Sequence, residues 1–205
     1  MSNLQGFIDK YMNDGAERFF HDVFGGEYAP VLNAKADVVL DVGATAGEFS
    51  AYIYNKASVI YALEPYSAHY EELTGNIKEF GLDKIKPFRM ALSDYNGEGN
   101  FLTIGGRGGN RLINGDGDEY TEKVQVKTLA TFMKDVGIDH INILKIDIEN
   151  GEVKVFNSPD FKDIAYKIDF IIGEHIADMQ SLFEGYGFKS RRYPENGVNI
   201  IYERI

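Results

Sequence analysis

Five short apolar runs constrain this chain most: "DVVLDV" (37–42), "SVIYALEP" (58–65), "IKPFRMALS" (85–93), "INILKIDI" (141–148) and "KIDFIIGEH" (167–175). Between them the apolar spacing becomes helical, as in "FSAYIYNK", "SAHYEELTGNIKEFG", "LATFMKDVG", "GEVKVFN" and "ADMQSLFEGYG". A continuous run rich in β-branched residues suits a strand covered on both faces. Regular alternation of such strands with helices predicts an α/β fold, Rossmann-like, with a mainly parallel sheet and helices on both faces. Pro87 sits near the start of the third run, where an edge strand tolerates it. Ser67 is the expected N-cap of the helix before Gly81. "GFKSRRY" and "GVNIIYE" make a closing pair that adds an antiparallel edge.

The remaining segments depart from that rhythm. Leu4, Phe7, Ile8 and Tyr11, then Phe19, Phe20 and Val23, recur at helix spacing, so residues 1–36 read as an N-terminal helical cap on a core at 37–205. With 205 residues and no Pro- or Ser-rich linker, the expectation is a single domain. "NFLTI" (100–104) and "KVQVKTL" (123–129) read as two strands with alternating faces. The connection between them holds six glycines, together with Arg107 and Arg111. A connection this long and this glycine-rich is expected to be a mobile lid over the site, covering residues 105–117.

Composition removes whole classes of function. There is no cysteine, which excludes a disulfide scaffold, a thiolate metal site and a cysteine nucleophile. That lack suits a reducing cytosol, and a cytoplasmic protein is the expectation. No apolar stretch is long enough to span a bilayer, and the N-terminus lacks the pattern of a signal peptide. A formal net charge of −11 argues against a nucleic acid partner, despite the local "KSRRY" patch.

"LDVGATAGEFS" (40–50) lies at the end of the first strand, where sheets of this kind bind ligands. A dinucleotide fingerprint wants a third glycine after Gly43 and Gly47, so that a pyrophosphate can approach the helix N-terminus. Here Glu48 opens the helix, and its charge would oppose a phosphate. A cationic or zwitterionic ligand fits better. S-adenosylmethionine carries a sulfonium and an ammonium and no phosphate, and Asp41 and Glu48 suit it. Gly43 and Gly47 would let the backbone turn beneath its methionine part. Glu64, ending the second strand, is placed to accept hydrogen bonds from ribose hydroxyls. NAD sites use an acid there too, so an NAD-dependent oxidoreductase stays open as an alternative, as does a non-catalytic binding module.

A third set of residues concerns chemistry. Lys145, Asp147 and Glu149 alternate along one strand and should share a face. The alternative is a Lys145–acid pair with helix capping. Glu174 and His175 end the neighbouring strand, and imidazole titrates near neutral pH. His175 is the candidate general base and Asp147 its catalytic partner. Asp147, Glu149, Glu174 and His175 could also hold a hard divalent cation such as Mg2+. His21, His69 and His140 have no comparable setting.

"LDVGATAGEFS", "ALEPYSAHYEELTGNI", "MALSDYNGEGNF", "VKTL", "ILKIDIENGEVKVF" and "FIIGEH", in this order, resemble the FkbM-family S-adenosylmethionine-dependent methyltransferases. The resemblance runs over about residues 37–190 and implies a class I methyltransferase fold. It also implies methyl transfer to oxygen, on a small-molecule hydroxyl such as that of a sugar or natural product. It assigns Asp41, Gly43 and Gly47 to the first cofactor motif and Glu64 to the ribose. Ala91, Leu92 and Ser93 fall at the turn near the adenine, and Asp147, Glu149 and Glu152 in the acidic block. Two departures stand out. The family reads Glu-Gly-Ala-Glu where this chain has Glu149, Asn150, Gly151 and Glu152, and Thr-Leu-Asp where it has Thr128, Leu129 and Ala130.

Overall fold

The computed structural model describes residues 2–13, 23–104, 106, 108–115, 120–174, 176–193 and 199–205. The strands are β1 (Val38–Val42), β2 (Val59–Leu63), β3 (Ile85–Phe88), β4 (Ala91–Leu92), β5 (Gly97–Leu102), β6 (Arg111–Ile113), β7 (Thr121–Lys127), β8 (Ile141–Ile146), β9 (Ile168–Gly173), β10 (Phe188–Tyr193) and β11 (Asn199–Arg204). The helices are α1 (Leu4–Asn13), α2 (Glu48–Ile53), α3 (Ser67–Phe80), α4 (Leu129–Val136), α5 (Glu152–Phe156) and α6 (Gln180–Gly185). Residues 14–22 of the expected N-terminal helix lie outside the described residues.

The central sheet has the order β10-β11-β9-β8-β1-β2-β3. β3, β2, β1, β8 and β9 run parallel, and β11 enters antiparallel between β9 and β10. This is the mixed α/β sheet that the alternation predicts. Its apolar runs are covered on both faces because successive residues feed different cores. Val39, Ile143 and Ile172 face a core shared with α1, α2 and α3. Leu40, Leu144 and Ile171 face one shared with α4, α5 and α6. The chain leaves β1 toward β2 on one side and returns to β8 on the other. The strand order therefore reverses between β1 and β8, where a crevice opens at the carboxyl ends. Among the described residues no helix is long and apolar enough to cross a membrane.

Several boundaries differ from the expectation. Residues 85–93 are not one strand. β3 ends at Phe88, keeping Pro87 on the sheet edge, and the chain breaks away to β4, which pairs with β7. β4, β7, β5 and β6 form a second sheet of four strands, packed around Phe101, Val124 and Val126. Part of the glycine-rich connection is itself strand, because Arg111–Ile113 pairs antiparallel with β5. Positions 105, 107, 116 and 117 of the expected lid, Arg107 included, lie outside the described residues. Ser67 does not cap α3: Tyr66 occupies the N-cap position without a side-chain bond. Instead Glu122, from β7, accepts from Ser67 N at 3.1 Å and from Ser67 Oγ at 2.5 Å. A carboxylate from the second sheet thus meets the orphan donor at the helix start.

Candidate active site

Two adjoining clefts lie over the carboxyl ends of β1, β2 and β8, sharing Gly43, Pro65, Phe101, Ile148 and Glu149 in their walls. The floor is the turn after β1. Gly43 has φ 79° and Gly47 φ 99°, both in the left-handed region. A Cβ on Gly43 would overlap the carbonyl oxygen of Asp147. The glycine therefore serves close passage of one strand end over another as well as the turn. Thr45, between them, holds φ 50°, an unfavourable value for a β-branched residue. Its N–H donates to Glu64 Oε2 at 2.8 Å, so the strained turn is pinned by the acid that ends β2.

Glu64 lines the first cleft with only 4% of its surface exposed, while its chain neighbours Leu63 and Pro65 line the second. Its other oxygen accepts from Tyr66 N at 2.9 Å. Burial pushes its pKa up to about 7, against the lowering effect of the two backbone N–H groups and of Lys145. His69 Nδ1 lies 4.0 Å from Glu64 Oε1, and its ring meets Tyr66 edge-on. His69 thus lines the first cleft, correcting the expectation that it has no site setting. Its α3 position gave no sign of that, because α3 reaches β2 only in the folded sheet.

The first cleft is acidic. Glu48, Glu64, Asp147, Glu149 and Glu174 line it, with aromatic walls from Tyr28, Phe49 and Phe101. Glu48 is buried at the helix start and accepts from Ala46 N at 3.1 Å. The second cleft is more apolar, built from Leu63, Met90, Ala91, Leu92 and Phe101, with Ser93 beside them.

Lys145, Asp147 and Glu149 do reach one cleft, but not by strand alternation. β8 ends at Ile146, and Glu149 (φ 57°) and Asn150 (φ 71°) both turn left-handed. Asn150 takes the strained position that falls to glycine in the family pattern, and asparagine tolerates it better than most residues. Glu152, fully buried, accepts from Ile148 N at 2.7 Å and holds this turn in place. Glu149 Oε1 accepts from Gly109 N at 2.7 Å, tying the connection between β5 and β6 to the cleft rim. Gly108 and Asn110 then close the first cleft and Arg111 the second.

Asp41 is placed differently from a ligand-facing acid. It is fully buried, accepts from Ser50 Oγ at 2.7 Å, and lies 3.3 Å from Lys145 Nζ. It sits beneath the turn rather than in the cleft wall. The lysine–acid pairing weighed from sequence is formed here, with Asp41 as the acid. Thr128, at the second family departure, caps α4 by accepting from Thr131 N at 3.1 Å. Glu174 follows β9 and lines the first cleft; His175 lies outside the described residues. Among the described residues no three metal-ligating side chains converge, so nothing there supports the divalent cation.

Residues 41–190 match the family model described as the methyltransferase FkbM domain. The chain belongs to the FkbM methyltransferase family. Among solved structures, the FkbM methyltransferase from Methylobacillus flagellatus KT aligns at 12% identity and TM-score 0.57, covering 98% of this chain and 58% of that one. The FkbM-family chain thus spans a little over half the length of that relative. A Streptococcus agalactiae protein of the NADB-Rossmann superfamily aligns at 16% identity and TM-score 0.52, covering 91% of this chain and 68% of that one. At these identities the likeness shows the fold alone. No curated protein matches the sequence.

Proposed function

We propose that this FkbM-family chain transfers a methyl group from S-adenosylmethionine to a hydroxyl of a small molecule. The observation that carries the reading is the pair of adjoining clefts, with buried Glu64 in the wall of the first. An apolar slot beside Ala91–Ser93 suits an adenine ring. An acidic cleft with aromatic walls suits a sulfonium, whose charge it would balance. Glu64 retains lone pairs for ribose hydroxyls after accepting from Thr45 and Tyr66. Glu48, buried at the start of α2, argues against a pyrophosphate and hence against the NAD alternative.

When bound, the cofactor would supply an electrophilic methyl already attached to a good leaving group. The chain's task is then to align the acceptor oxygen, exclude water and receive the hydroxyl proton. We assign the proton to His175, on sequence grounds, and the orientation of the acceptor to Asp147, which lines the first cleft. The acidic lining and net charge of −11 favour a small acceptor over a nucleic acid backbone.

Calorimetry with S-adenosylhomocysteine and methyl transfer from labelled cofactor to candidate alcohols test the reading. Glu64→Ala should weaken cofactor binding about ten- to a hundredfold, the scale of a lost hydrogen bond to a charged group. His175→Ala should slow turnover about 10²–10⁴-fold with cofactor affinity held within a few-fold. Unchanged affinity in Glu64→Ala would refute the ribose assignment; full turnover in His175→Ala would refute the base.

A further inference from the structure

Lys145 lines the first cleft, and the proposed chemistry gives it no task. Its side chain is nearly buried, and β1–β8 pairing sets it directly beside Asp41. Among the described residues that line this cleft, it is the one lysine or arginine. An ammonium has three N–H donors. Lys145 Nζ donates to Gly43 O at 2.7 Å and, at the long distance of 3.4 Å, to Val42 O, and it lies 3.3 Å from Asp41 Oδ1; the long bond to Val42 is the one a ligand acceptor would replace. Burial would drive its pKa down, but Asp41, Asp147 and Glu48 outweigh that, so it stays charged.

Two consequences follow from this placement. Lys145 occupies the carbonyl of Gly43, at the turn that a ligand ammonium would otherwise seek. It also puts a fixed positive charge in a cleft whose other charged walls are carboxylates. Of the carboxylates and the one ammonium described in this cleft, only the Lys145 ammonium would attract a ligand carboxylate. Tyr28 and Phe49 line the same cleft and Lys145 is itself nearly buried, so the charge acts in a partly desolvated setting, where it is strong.

We infer that Lys145 is the specificity residue for the amino-acid end of the cofactor, binding its carboxylate while Asp41 beneath holds the ammonium in place. The inference rests on the proposed cofactor and adds to it. Lys145 distinguishes adenosyl compounds that carry the amino-acid group from those that lack it. Asp41 acts through Lys145 and is a positioning residue.

Two thioether ligands separate this role from a structural one. S-adenosylhomocysteine has the carboxylate; 5′-methylthioadenosine keeps the adenosine and sulfur and lacks it. Calorimetry should show Lys145→Met weakening S-adenosylhomocysteine about ten- to a hundredfold, with 5′-methylthioadenosine held within threefold. Lys145→Met leaves Asp41 buried without its cation and is exposed to misfolding. The double variant Asp41→Asn/Lys145→Met removes both charges and should show the same selective loss. Equal losses for both ligands, or no loss for either, in a folded variant would overturn the assignment. Wild-type protein that binds neither ligand would overturn the cofactor reading itself, and this inference with it.

Discussion

Glu64 is the residue whose chemistry is most exposed to pH. Its pKa stands at about 7, above the ordinary 4.5, chiefly through burial. The folded state therefore favours the neutral acid. The stability from this group is full below about pH 4.5 and is lost as pH rises through about 7. Ribose hydroxyls donate to the ionised form, so ligand binding favours that form. Affinity for S-adenosylhomocysteine should rise as pH climbs through about 7, with proton release near pH 6.5. Calorimetry in buffers of different ionisation enthalpy would detect the proton. A buffer-independent heat, unchanged in Glu64→Gln, would count against the coupling. Gly43 makes a second prediction at this scale. Alanine there combines a left-handed φ with overlap of the Asp147 carbonyl. Gly43→Ala should cost at least about 3 kcal/mol in urea unfolding. A loss below about 1 kcal/mol would mean that the turn relaxes freely.

Elements here are held by contacts that reach across the chain. α4 begins at Thr128, whose Oγ1 accepts from Thr131 N and donates to Asp160 Oδ2 at 2.7 Å. The cap therefore joins α4 to the turn after α5. Thr128→Ala should lower stability by about 1–2 kcal/mol, while Thr128→Ser should recover most of it. If serine is as damaging as alanine, the methyl rather than the hydroxyl matters. α3 uses the other strategy: its N-terminal donor is met by Glu122 of β7, which also pairs with Arg89 at 2.6 Å. That ties the second sheet to the helix that carries His69.

Across the molecule, support is uneven. β1, β8 and β9 are paired on both sides and covered by both cores, whereas β6 is a three-residue edge strand. Amides of Leu40, Leu144 and Ile171 should exchange with solvent only through global unfolding. Those of β6 should exchange at least about a hundredfold faster. Hydrogen exchange measured by residue checks this; uniform protection would mean that the second sheet unfolds as one unit with the first. The same contrast places the clefts between a rigid strand-end platform and a less supported rim.

The sequence by itself determined the layered sheet. Continuous apolar runs such as "INILKIDI" can be covered only if both faces are packed, and that requirement is local and legible. Gly81 and Gly137 ended their helices with left-handed φ of 63° and 71°, again for a local reason. Glu64 was likewise readable, because the strand end fixes where its carboxylate stands. Tertiary structure alone decided the split of residues 85–93 between two sheets, the entry of His69 into the site and the capping of α3 by Glu122. It also decided that Lys145 faces Asp41 rather than an acid on its own strand. Register between strands distant in sequence sets those contacts. The energies of charge pairing and burial depend on separation in space, which spacing along the chain does not encode.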